Sequence, residues 1–239
     1  MNKSTQNENN DTLFFEALMN NIMEGTKTPK VQIERVVGPI LGFFIEDIIS
    51  TLLEEDVVTI SAEFPLRKFV NAGGIQNNHS TNIDWLMYSR EKKELIFVEL
   101  KTTDTSFSRP QASLYAKVQQ EINSKRSALF LEGDIKTIKS ASKESGKYES
   151  ILKKIEKESI DFSEIHGSRI IYILPDVVKR KMQEKDKEGI EFYPFKDLRI
   201  NANKKNAFRS QWLTLFKHLC ALDEITRKSR NSKTKKDAT

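Results

Sequence analysis

Two short apolar runs, residues 82–88 and 94–101, flank the polar stretch Ser89-Arg90-Glu91-Lys92-Lys93, and both are rich in Ile, Val, Phe, Trp, Leu and Tyr. This pattern predicts a β-hairpin. A turn centred between Glu91 and Lys92 sets Ile83 opposite Leu100, Trp85 opposite Val98 and Met87 opposite Ile96, which makes one wholly apolar face. The other face pairs Leu86 with Phe97 and, one step toward the open end, Asp84 with Glu99. Lys101 lies two residues beyond Glu99 and therefore shares its face.

Around the hairpin the periodicity alternates between helix and strand. Residues 1–11 are polar and predict disorder, followed by a short helix over Thr12–Met23 carrying Leu13, Phe14, Ala17 and Leu18. Residues 26–30 read as a linker, and 36–53 as an apolar helix. Val57–Phe64 reads as a first strand that Pro65 ends, and the glycine-containing segment 71–81 as a loop overhanging Asp84, with His79 in it. After the hairpin, Ser108 and Pro110 suit an N-cap and first turn, with Leu114, Val118 and Ile122 facing inward. Ala128–Leu131 is a short apolar run, and Ser145–Glu158 has helical spacing through Tyr148, Ile151, Leu152 and Ile155. Arg169–Leu174 is the clearest buried strand, followed by a charged helix over Asp176–Lys187, an edge strand over Ile190–Tyr193 and a closing helix over Ala207–Leu222. The segment 132–165 reads as a helical insertion between sheet elements. The order predicts an α/β fold with a central mixed sheet flanked by helices.

The acidic positions add chemistry to this frame. Directly opposed strand residues bring their Cβ atoms within roughly 5 Å. Two carboxylates at that separation repel unless a cation sits between them. Oxygen ligands favour a hard divalent cation, Mg²⁺ or Mn²⁺, which uses one or two carboxylates, waters and substrate phosphate oxygens. A metal held by Asp84 and Glu99 would polarise a phosphoryl oxygen and acidify a bound water, with Lys101 orienting that water or neutralising developing charge. The competing interpretation is a surface hairpin whose Glu99 and Lys101 are merely solvated.

Asp84, followed by Glu99-Leu100-Lys101 at the end of the next strand, resembles the motif of the PD-(D/E)XK nuclease superfamily, although Ile83 stands where the motif has proline. Gln111-Ala-Ser-Leu-Tyr115, in the following helix, resembles the QxxxY motif of the RecB-type and lambda-exonuclease-like branch. The resemblance spans roughly residues 35–200 and implies a restriction-endonuclease-like core of order α-β-β-β-α-β. It further implies that the backbone carbonyl of Leu100 and an acidic group of the first core helix join Asp84 and Glu99 at the metal. Glu46 is the favoured helix residue, with Asp47 and Glu34 as the competing assignments. Lys101 would be the catalytic cation, and Gln111 and Tyr115 would position a DNA substrate. A non-catalytic nucleic-acid-binding or protein-interaction module on the same fold is the alternative, and a hydrolase of another phosphate ester ranks behind both.

Composition supplies boundaries rather than function. The 239 residues suit one domain at 31–225, preceded by a polar segment and linker at 1–30 and followed by a basic tail at 226–239. That tail holds Arg227, Lys228, Arg230, Lys233, Lys235 and Lys236 against Asp237, so it accounts for the whole net charge of +5 and leaves the body neutral. It is too polar to pack, and it suits either plain solvation or nonspecific contact with phosphate. The single Cys220 excludes an internal disulfide framework and falls in a helical stretch where packing is its expected role. His166 and His218 are isolated, and no Cys/His spacing suggests structural zinc. No apolar run reads as a membrane span, and the polar start lacks a signal-peptide core. The expectation is a cytoplasmic protein with a DNA substrate and no membrane partner. A protein partner or homo-oligomer, and exonuclease against endonuclease action, stay open.

Overall fold

The hairpin forms in the expected register. In the computed structural model, β2 (Ser80–Ser89) and β3 (Glu94–Leu100) pair antiparallel as Trp85 with Val98, Leu86 with Phe97 and Met87 with Ile96. The structure describes residues 3–25, 33–67, 80–103, 106–183, 189–201 and 206–236; over 3–10, 181, 183, 206 and 224–236 it describes backbone alone. The loop segment 71–79, with His79, lies outside the described residues.

Five strands form one mixed open sheet in the order β1-β2-β3-β4-β5. β1 (Val57–Arg67) is antiparallel to β2, while β3, β4 (Gly167–Leu174) and β5 (Ile190–Pro194) run parallel. The parallel step from β3 to β4 needs a long crossover. It is made by α3 (Arg109–Lys125), α4 (Leu129–Ala141) and α5 (Ser145–Lys157). The expected insertion is therefore the connection itself, and the apolar run at 128–131 is the start of α4.

Helices cover both faces of the sheet. On one, Leu86, Leu95, Phe97, Ile170 and Tyr172 pack with α3, α4, α5 and with Val178 of α6 (Asp176–Gln183). On the other, Trp85, Met87, Ile96, Val98 and Ile171 pack with α1 (Lys3–Gly25), α2 (Ile33–Leu53) and α7 (Arg209–Lys236). α2 buries Val37, Leu41, Phe44, Ile45, Ile48 and Ile49, a stripe of helical period. Gly42 of α2 is needed where Trp85 crosses it, because a Cβ there would lie 3.0 Å from the indole Nε1.

Several expectations need correction. α2 is long and apolar enough to cross a membrane by length and composition, contrary to the sequence reading, yet that apolar stripe packs against the sheet. Pro65 does not end β1, which continues to Arg67. β1 is the sheet edge, where proline costs no essential ladder bond. The polar N-terminus is helical from Lys3. α1 turns Phe15, Met19, Ile22 and Met23 toward the core, leaving Leu13, Phe14 and Leu18 exposed. The basic tail is likewise helical, since α7 runs on to Lys236. In both places a docked helix propagates into polar sequence at little cost once its nucleus is formed.

Ile83 also departs from its assigned face. It packs in the cluster with Phe64, Leu66 and Leu86, not in that of Trp85 and Met87. Strict alternation would put residues 83 and 86 on opposite faces, so β2 turns over at Asp84. Beside it, Glu63 of β1 has a left-handed φ of 50°.

Candidate active site

The turnover at Asp84 breaks the hairpin ladder. Regular pairing of β2 with β3 ends at Trp85 and Val98. Beyond it the side chains take over, with the Asp84 N–H donating to Glu99 Oε1 at 3.3 Å and the Leu100 N–H donating to Asp84 Oδ2 at 2.7 Å. Asp84 and Glu99 are thus adjacent through each other's backbone rather than as simple cross-strand neighbours.

Glu99 is fully buried beside Lys101, whose Nζ donates to Glu99 Oε2 at 2.8 Å. α3 closes over this pair. Its N-terminus is set by Ser108, whose hydroxyl accepts the Gln111 N–H, with Pro110 in the first turn. One turn later Tyr115 OH donates to Glu99 Oε1, and Gln111 Nε2 lies 2.8 Å from Tyr115 OH and 3.2 Å from Glu99 Oε1. Leu114, Val118 and Ile122 are buried as expected.

Burial pushes the Asp84 carboxyl up to about 7, and the Glu99 charge adds to the shift. Glu99 is raised by burial against the opposing charge and hydrogen bond of Lys101. Burial disfavours the Lys101 ammonium, but the Glu99 carboxylate outweighs it and holds that group above the ordinary lysine value. One ammonium facing a buried and a half-buried carboxylate leaves the cluster short of positive charge.

Asp84 opens onto a groove of about 940 Å³ lined also by Glu34, Arg35, Glu63, Trp85, Leu100 and Thr102. Glu34, in the first turn of α2, accepts the Thr102 N–H at 2.9 Å. Glu46 is not brought here. Its Oε1 accepts the Thr59 N–H at 2.8 Å, where the β1–β2 register shifts, and it lines a separate hollow with Gly42, Phe43 and Thr59. The structure therefore places Glu34, three turns closer to the start of α2, and not Glu46, beside the groove onto which Asp84 opens. Glu46 lies beside the apolar stripe of α2, where a carboxylate needs a partner, and a backbone N–H at the β1 register shift is that partner. Asp47 is buried on yet another side, among Ser50, Thr51 and Glu55.

The donor set suits a hard cation only in part. Among the described residues no three His, Cys, Asp or Glu side chains gather as a metal-holding group. Mg²⁺ does not require three, since it keeps several waters and takes one or two carboxylates. The charge-deficient pair of Asp84 and Glu99 fits that requirement. His166 is exposed; His218 is buried in α7 with Nε2 unbonded, and Cys220 is half-buried there.

Comparison of the chain with protein-family models, with curated proteins and with solved structures gives no match in any of the three.

Proposed function

We propose that this protein is a divalent-metal-dependent nuclease that hydrolyses phosphodiester bonds of DNA, with a restriction-endonuclease-like core of the PD-(D/E)XK kind. The observation that carries the reading is the convergence of Asp84, Glu99 and Lys101 at the open end of one hairpin, with Glu99 and Lys101 buried as an ion pair. Buried charge is expensive, and a surface hairpin with solvated charges would not bury these groups. The element order α2-β1-β2-β3-α3-β4 supports the same reading.

Asp84 and Glu99 would hold Mg²⁺ or Mn²⁺, with the Leu100 carbonyl and Glu34 as neighbouring oxygen donors. When bound, the metal supplies Lewis-acid polarisation of the phosphate and a more acidic water. Lys101 keeps its proton because Glu99 pairs with it, so it offers a fixed positive charge to the phosphate as charge accumulates there. The groove beside Asp84 admits the strand, while the sheet and α3 keep water from the far side of Glu99. A cytoplasmic setting and DNA as the partner belong to the same proposal.

The test is incubation of purified protein with linear and with closed-circular DNA, in Mg²⁺, Mn²⁺ or EDTA. Metal-dependent loss of linear DNA alone establishes an end-dependent exonuclease, and cutting of circles establishes an endonuclease. Intact DNA in every metal, with DNA still bound, moves the reading to a non-catalytic binding module.

A further inference from the structure

The Gln111–Tyr115 pair is expected from the sequence to hold substrate, but the structure gives Tyr115 no surface with which to do so. Tyr115 has 0% exposure, and its ring packs edge-on against Phe97 with centroids 6.0 Å apart. Its hydroxyl is enclosed by Glu99 Oε1, Gln111 Nε2 and the Asn82 carbonyl, the last at 2.9 Å. Nucleic-acid stacking needs an exposed aromatic face. Gln111 is half-buried, and its amide nitrogen is directed at Tyr115, Glu99 and the Asn82 carbonyl at 3.3 Å.

We infer that Gln111 and Tyr115 are positioning residues that act through Glu99: they occupy its Oε1 and leave Oε2, the atom paired with Lys101, as the oxygen this carboxylate presents to a divalent cation. The donor count supports this division. Oε1 receives Tyr115 OH, Gln111 Nε2 and the Asp84 N–H, whereas Oε2 receives Lys101 Nζ. A carboxylate oxygen has two lone pairs, so Oε1 is saturated and Oε2 retains one. A phenol has a single hydrogen, and the carboxylate Oε1 of Glu99 is a stronger acceptor for it than the Asn82 carbonyl. Outer partners of this sort fix the orientation of a metal-binding carboxylate. The inference rests on the reading of Glu99 as a metal ligand.

The experiment compares wild type with Tyr115→Phe and Gln111→Ala by two binding readouts. One is Mn²⁺ affinity by electron paramagnetic resonance; the other is affinity for a DNA oligonucleotide in EDTA by fluorescence anisotropy. The expected result is Mn²⁺ affinity weakened about 10-fold or more in Tyr115→Phe, with oligonucleotide affinity unchanged. Unchanged Mn²⁺ affinity with weakened oligonucleotide binding would restore the substrate-holding role and overturn the inference. Absence of Mn²⁺ binding by wild type would overturn it too. Should Tyr115→Phe not fold, Gln111→Ala, at a half-exposed site, decides between the same outcomes. A wild type that binds Mn²⁺ yet leaves DNA intact removes the nuclease reading alone, and the Mn²⁺ comparison still decides this one.

Discussion

Asp84 and Leu100 are joined side chain to backbone: the carboxylate of one accepts the N–H of the other at 2.7 Å, where a hairpin would ordinarily place a backbone carbonyl. With the Asp84 N–H turned to Glu99 Oε1, the open end of β2 and β3 is held by carboxylates. Carboxylate placement and strand geometry are therefore the same thing here. A carboxylate that replaces a ladder acceptor cannot move without opening the hairpin, which pre-organises the site.

The pH dependence follows from Asp84, whose folded value of about 7 lies above its ordinary 3.8. A raised carboxyl favours the folded state when protonated. Its stabilising contribution is present below the ordinary value and is lost as pH rises through about 7. Metal-free protein should therefore melt at a higher temperature at pH 5.5 than at pH 8, and Asp84→Asn should flatten the difference. Mg²⁺ should raise the melting temperature at pH 8 by mass action. Thermal melts across pH, with and without Mg²⁺, read all three.

Glu34 and Glu46 should separate cleanly. Glu34→Gln weakens the bond to the Thr102 N–H, which should cost about 1 kcal/mol of stability, and should lower metal-dependent cleavage per folded molecule by about 10- to 100-fold. Glu46→Gln weakens the bond to the Thr59 N–H and should cost about 1 kcal/mol of stability while leaving cleavage per folded molecule intact. Urea unfolding and initial cleavage rates on the same preparations distinguish the two; a reversed pattern would return Glu46 to the site.

At the other end of the sheet, the buried Glu55 accepts from Ser89 at 2.6 Å and pairs with Lys92 and with Nη1 of Arg169, which also grips Glu191 through Nε and Nη2. Burial opposes ionisation of Glu55, but Lys92, Ser89 and Arg169 outweigh it and hold its carboxyl below the ordinary range. Arg169→Ala leaves that charge undercompensated and should destabilise by roughly 3 kcal/mol, with metal affinity unaltered. Because the folded value is depressed, the stabilising effect of Glu55 is present above about pH 4.5 and is lost as pH falls through the folded value. The gap between wild type and variant should accordingly narrow in acid, as followed by urea unfolding at two pH values.

The hairpin register was readable because one-residue slips would bury charges and expose Trp85 and Val98. The N-cap of α3 was readable from Ser108 and Pro110, and the register brought Asp84, Glu99 and Lys101 to one end of the hairpin, although the carboxylate-to-backbone bonds that join Asp84 to Glu99 and Leu100 were not readable from it. The reversal at Ile83 was not readable, since it depends on how β1 meets β2 at Glu63, and nothing in the local pattern records a long-range strand contact. Nor was the placement of Glu34, rather than Glu46, beside the groove of Asp84: both lie on α2, and only the packing of that helix against β1 shows which end faces Thr102. The burial of Tyr115 was half-readable, since residue 115 adjoins the apolar stripe of Leu114, Val118 and Ile122, yet its hydroxyl partner comes from β3.

The most direct measurement is single-turnover cleavage of a DNA substrate in Mg²⁺ by wild type and by Asp84→Asn, each checked for native folding and for DNA binding in EDTA. The account predicts metal-dependent cleavage by wild type and a loss of about 1,000-fold or more in the variant, with DNA binding retained. Equal cleavage by both proteins, or cleavage by wild type that persists in EDTA, would contradict it.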